Sequence, residues 1–221
     1  MGDDAGARPL DASPTRRTRT LGATATLLAL GGIAAAIILD PTFSWSSDAL
    51  SDLGIRGASA PVFNWGLILG GAVGAGYAVE LGRARDSRGA ALRAVVLAFA
   101  MVALAGVGVF DLTEPLHGPS AIAFYALLTV AFAVDGTVRR GTTTGKLALA
   151  FVPVHVAVWA TFLAGRWPVT GPALPELPGA LALAAWVWFL GPAPVFGSVA
   201  ARLDGAGTDG ARTAGAGTDE H

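Results

Sequence analysis

Six apolar runs, each close to twenty residues long, constrain this chain more than any motif it carries. They are Leu21–Leu39, Val62–Leu81, Ala91–Phe110, Gly118–Val134, Leu147–Gly165 and Leu177–Phe196. A bilayer's hydrocarbon core is about 30 Å thick and a helix rises about 1.5 Å per residue, so roughly 20 apolar residues cross it. No water reaches that core to bond the backbone, so a crossing segment must satisfy its own N–H and C=O groups, and each run is expected to be a helix. Composition agrees. The chain is 53% hydrophobic and 14% charged, whereas a soluble domain carries about 25% charged residues. The expected fold class is all-α: a polytopic six-transmembrane-helix bundle over residues 21–197, flanked by tails at 1–20 and 198–221. The tails are polar or rich in glycine and alanine, and GAGTD occurs twice in the second. With nothing to bury, both are expected to be disordered.

Charge distribution orients the bundle. One set of alternate loops and tails holds thirteen Lys and Arg residues, among them Arg83, Arg85, Arg139 and Arg140; the other set holds only Arg56 and Arg166. Basic loops stay on the cytoplasmic side. Both termini are therefore expected in the cytoplasm of a cell-membrane protein, with the stretch FSWSSDALSDLG, Phe43 to Gly54, outside. Trp45, Trp65 and Trp167 fall near the same outer interface, where indole rings settle. Arg16-Arg17 precedes the first run, but Thr18-Arg19-Thr20 follow where a twin-arginine signal has apolar residues, so this run reads as a retained first span.

Several function classes are disfavoured. A net charge of −1 gives no basic surface for nucleic acid. There is no cysteine, hence no disulfide, thiolate nucleophile or Cys-ligated metal. GTTTGK, Gly141 to Lys146, lacks the glycine spacing and the Ser or Thr of a phosphate loop. Asn64 is followed by Trp65-Gly66 and is no glycosylation acceptor.

Gly66, Gly70 and Gly74 recur every fourth residue in the second run and make one smooth helix face. Such faces let helix backbones approach closely in membranes. Packing within the bundle is the expected use, with a homodimer through this face as the alternative.

Polar residues within or beside the spans are the functional candidates, because lipid penalises them. Glu80 and Asp135 fall near basic helix ends, where water and arginines reach them, and need no special role. His155 lies mid-span, two residues after Pro153; a neutral histidine bonded to a neighbouring helix explains it most simply. Asp111, Glu114 and His117 share a very short outer turn, and Asn64 starts the second span. In FSWSSDALSDLG, a helical wheel puts Trp45, Ala49, Leu50 and Leu53 on one side and Ser47, Asp48, Ser51 and Asp52 on the other. It predicts a short outer interfacial helix capped by Ser46 or Ser47 and ended at Gly54. The candidate polar cluster is Ser51, Asp52, Asn64, Asp111, His117 and His155.

The same residues carry a resemblance. The order LSDLG, VFNWGLILGG and GVGVFDLTEPLHGPSA resembles the DUF998 family of small integral membrane proteins over roughly residues 20–197. The matching elements are Ser51-Asp52-Leu53-Gly54, Phe63-Asn64, and Gly108, Phe110, Pro115 and His117. The resemblance implies a six-helix membrane protein and brings no established activity.

Two readings follow. In the first, the protein is non-enzymatic, contacts membrane lipid, and has an outward-facing polar cluster that binds a small molecule or lipid. In the second, it is a membrane-embedded hydrolase of lipid-like substrates. There a histidine serves as base, or His117, His155 and Asp111 hold zinc with a water position open. Only two histidines lie in the bundle, since His221 ends the chain, and neither G-x-S-x-G nor H-E-x-x-H occurs. The readings separate on whether Asp52 points to solvent or to Asn64, Asp111 and His117.

Overall fold

The computed structural model describes residues 16–215. All regular structure among them is helical: α1 (Arg16–Leu39), a 3-10 helix (Leu50–Ile55), α2 (Ser59–Arg83), α3 (Arg88–Val109), α4 (His117–Val138), α5 (Thr143–Leu163), α6 (Ala173–Ala185) and α7 (Gly197–Gly215). α6 continues into a π turn, Trp186–Leu190. With that turn counted into α6, six helices are long and apolar enough to cross a membrane. Ser87 caps α3 by accepting from Ala90 N at 3.1 Å, and Thr142 caps α5 by accepting from Gly145 N at 3.0 Å.

Successive helices α1 to α5 pack as neighbours, and α6 returns against α4, α5 and, through its π turn, α1. The outward surface keeps large apolar side chains such as Ile38, Phe99, Ile122 and Leu163 exposed. In water this would be an aggregation surface; beside hydrocarbon it costs nothing.

Close backbone contact joins α1 to α2. A Cβ placed on Gly66 would lie 2.9 Å from Gly32 Cα and 3.0 Å from Leu28 O, and one on Gly70 would lie 2.9 Å from Ala29 Cβ. Gly74 lies against Met101 of α3. The Gly66/Gly70/Gly74 face thus packs against the chain's own α1 and α3.

Helix runs into both segments that flank the spans: α1 begins at Arg16 and α7 covers Gly197–Gly215. Asp204 of α7 accepts from Thr144 N at 2.8 Å, a contact that composition does not reveal. Residues 1–15 and 216–221, with the parts of the expected tails that fall on them, lie outside the described residues. The expectation for Asp135 needs correction: it is not a water-accessible helix-end charge but is completely buried. Its Oδ1 accepts from Arg93 Nη1 at 3.0 Å and Arg139 Nε at 2.9 Å, and its Oδ2 from Trp186 Nε1 at 2.7 Å and from Arg139 Nη2. One carboxylate therefore ties α3, α4 and α6 together.

The π turn places a second indole as well: Trp188 Nε1 donates to Thr26 Oγ1 of α1 at 2.7 Å. Within the turn, Gly191 N donates to Trp186 O at 2.6 Å, the five-residue spacing that defines it.

Candidate functional site

The segment between α1 and α2 folds over the end of the bundle opposite the arginine-rich loops. It is held by its own carboxylates. Arg56 donates to Asp48 Oδ2 at 2.8 Å and to Asp40 Oδ2 at 3.4 Å, and lies 3.7 Å from Asp52 Oδ1. The guanidinium holds the Asp48 carboxyl below the usual carboxylate range, with the Ser44 amide helping. The Thr42 hydroxyl does the same for Asp40, assisted by the Thr42 amide and Arg56. In return the carboxylates hold Arg56 still more firmly protonated.

This segment also reaches α6. Ser46 O accepts from Thr170 N at 2.8 Å, Asp48 O accepts from Ala173 N at 3.0 Å, and Leu50 N donates to Glu176 Oε2 at 2.8 Å. Gly171 passes so close to Ser47 and Asp48 that a Cβ there would collide with their backbone.

The predicted interfacial helix exists, but in a shorter and different form. It is a 3-10 helix starting at Leu50, capped by Asp52, whose Oδ2 accepts from Ala49 N at 2.7 Å, rather than by Ser46 or Ser47. With three residues per turn, the α-helical wheel no longer applies. Ser51 is buried together with Leu50, Leu53 and Gly54, so it belongs to the inner side and not to the polar side assigned to it. Asp52 faces Arg56 and its own helix start.

The other candidates separate. Asn64 Nδ2 donates to Gly54 O at 2.9 Å, while its Oδ1 is buried without a partner. Asp111 accepts from Thr113 N at 2.9 Å and Thr113 Oγ1 at 2.6 Å, which holds its carboxyl below the usual range and closes a local turn. His155 is buried between α4 and α5. Its Nε2 accepts from Trp159 Nε1 at 3.1 Å, so its Nδ1 carries the proton and donates to Thr129 Oγ1 at 2.7 Å. Both ring nitrogens are spent in this tie. Among the described residues, no group of three His, Asp or Glu side chains is placed to share a metal ion, so His117, His155 and Asp111 do not form the zinc set considered above.

Ser51 and His117 do meet the same space. Both line a cavity of about 80 Å³ inside the bundle, together with Glu176 and Tyr125. The walls below are apolar, including Phe63, Leu67, Met101 and Phe124, and the far part reaches Gly22 and Tyr77. Tyr77 Oη is buried and has no partner. His117 Nδ1 bonds Phe110 O at 2.8 Å; a carbonyl only accepts, so that nitrogen donates and a neutral ring keeps Nε2 as an acceptor. Tyr125 Oη donates to Glu176 O at 3.2 Å. Among the described residues no hydrogen bond joins Ser51 to His117 or to Glu176.

The residues that carried the sequence resemblance form one seam at this end. Gly54 meets Asn64 Oδ1, where a Cβ would sit 2.6 Å away; Gly108 meets Asn64 O, at 2.5 Å; Phe110 O receives His117. The family model described as "Protein of unknown function (DUF998)" matches residues 23–192. The chain belongs to the DUF998 family. No curated protein and no solved structure matches it. In this DUF998 protein the matched residues thus include this whole seam and nearly all of the six spans.

Glu176 and Tyr125 were not among the sequence candidates. Glu176 stands one residue before the sixth apolar run as its boundary was drawn, yet α6 begins at Ala173. An acidic residue inside the first turn of a span is the signal that would have found it.

Proposed function

We propose that this DUF998 protein is a non-enzymatic membrane protein whose bundle cavity holds a small amphiphile. The observation that carries this reading is the cavity itself: apolar walls along the bundle and a polar end made by Ser51, His117 and Glu176. An apolar cavity stays dry and takes an apolar guest. The polar end offers His117 Nε2 as an acceptor, the Ser51 hydroxyl as donor or acceptor, and the Glu176 carboxyl oxygen not bound to Leu50, which accepts when ionised and donates when protonated. The chemistry suits a hydroxyl or an amine on an apolar tail of only a few carbons, the size that a cavity of about 80 Å³ admits. The segment from Asp40 to Ile55 then acts as the cover over the headgroup end. On the charge distribution, that end faces outward and both termini face the cytoplasm.

Nothing in the geometry favours the hydrolase reading over this one. Ser51 lacks a bond to a base, and His155 is committed to Thr129 and Trp159. The test is titration of the detergent-solubilised protein with a short-chain alcohol and with the alkane of equal length. Binding of the alcohol in preference to the alkane, reduced by His117→Phe or Ser51→Ala, supports the proposal. Equal binding of both, unchanged by either substitution, contradicts it.

A further inference from the structure

A second cavity, of about 200 Å³, opens at the opposite, arginine-rich end of the bundle, where Arg93, Arg139, Val138, Ala84, Asp86 and Pro192 are among its lining residues. Arg93 is only 4% exposed. Its Nη1 bonds Asp135, but its Nε is buried and has no partner. Arg139 is held by Asp135 through Nε and Nη2 and donates to Thr144 Oγ1 through Nη1 at 2.9 Å. Two guanidinium charges thus share one buried carboxylate, leaving a positive excess beside the cavity. The nearby Asp204 is spent on Thr144 and pairs with neither arginine. Asp86 contributes a carboxylate from an exposed position at the rim.

A buried charge without its counter-charge is costly, and so is a buried N–H without an acceptor. An anion against the open edges of the Arg93 and Arg139 guanidinium groups offsets the first cost; Arg93 Nε has no surface open to the cavity and keeps the second. Guanidinium groups present donors in a planar fork that fits phosphate oxygens better than a single carbonyl acceptor. We propose that the Arg93/Arg139 cavity is a phosphate-binding site, filled either by the phosphate of a membrane lipid headgroup or by a free phosphate ion. It is separate from the amphiphile cavity and does not depend on it.

The test uses the full chain. Inorganic phosphate is titrated calorimetrically into the protein in uncharged detergent, against chloride of equal ionic strength. In parallel, nanodiscs of phosphatidylcholine with and without phosphatidic acid are examined by native mass spectrometry. Arg93→Gln should abolish binding, but it also strips a partner from Asp135 and can unfold the bundle. Two rim substitutions leave the arginine–aspartate cluster intact. Asp86→Asn removes a repelling charge and should tighten phosphate binding; Ala84→Glu adds one and should weaken it, each by roughly three- to tenfold. Binding of inorganic phosphate with no preference for phosphatidic acid supports the free-ion source. Retention of phosphatidic acid without inorganic phosphate binding supports the lipid source. Binding of neither, or identical binding by wild type and both rim variants, overturns the proposal.

Discussion

Arg56 donates to Asp48 across eight residues at 2.8 Å and so closes the loop between α1 and α2 over one end of the bundle. Asp48 and Asp40 are both held below their usual carboxyl range. A group whose folded value is depressed contributes stability above its unfolded value, near 3.9, and loses that contribution as pH falls through the folded value. The clasp should therefore hold fully above about pH 5, with no loss toward alkaline pH from these groups, and release progressively below about pH 4. Hydrogen-exchange protection over residues 44–55, taken relative to the intrinsic rate at each pH, checks this: high at neutral pH, lower in acid. Arg56→Ala should lower the protection at both.

The Asp135 cluster yields a stability prediction. Asp135→Ala leaves Arg93 and Arg139 buried without their counter-charge and should cost about 3–5 kcal/mol. Trp186→Phe removes one bond to that charged acceptor and should cost about 1.5–3 kcal/mol. Thermal unfolding in micelles measures both. A Tm for Asp135→Ala equal to wild type would mean that the carboxylate does not join the helices.

The glycines of α2 differ from one another in a checkable way. Gly66→Leu pushes a side chain into Gly32 Cα and Leu28 O, backbone atoms that cannot turn aside, and should destabilise by at least about 1–3 kcal/mol. Nothing lies within 4 Å of a Cβ at Gly76. Gly76→Ala should be neutral or stabilise by about 0.4–1 kcal/mol through reduced unfolded-state freedom.

Orientation is open to direct labelling because the chain has no cysteine. Glu114 and Arg140 are both exposed and lie at opposite ends of α4. Glu114→Cys should react with an impermeant maleimide on intact cells, and Arg140→Cys only after permeabilisation. The reverse pattern would overturn the charge-based orientation.

What the sequence made legible follows from which forces act locally. The six spans could be read because burial in lipid demands about 20 apolar residues regardless of tertiary context. The Gly66 and Gly70 face was readable as a close-packing surface, though its partner, α1, was not. The short helix before α2 reads as α-helical in sequence because its apolar spacing fits a wheel. Its 3-10 geometry comes instead from the Asp52 cap and the pull of Glu176 on Leu50 N, a contact 126 residues away. For the same reason Ser51 was placed on the wrong face. Asp135 and Trp186 gave no local sign of pairing, since the π turn that presents Trp186 is invisible in composition. Of the six sequence candidates, Ser51 and His117 reach the cavity; Asp52, Asn64, Asp111 and His155 each serve a local or interhelical bond.

The cavity reading is tested most directly by native mass spectrometry of the gently extracted protein beside an Ala121→Phe variant, whose ring would occupy the cavity that Ala121 lines. Lipids bound around the outside are unaffected by this substitution. The expected result is one amphiphile per wild-type chain and none in a variant that remains folded. A wild-type chain that emerges empty, or a variant that carries the same single ligand, would contradict a bundle built to hold an amphiphile.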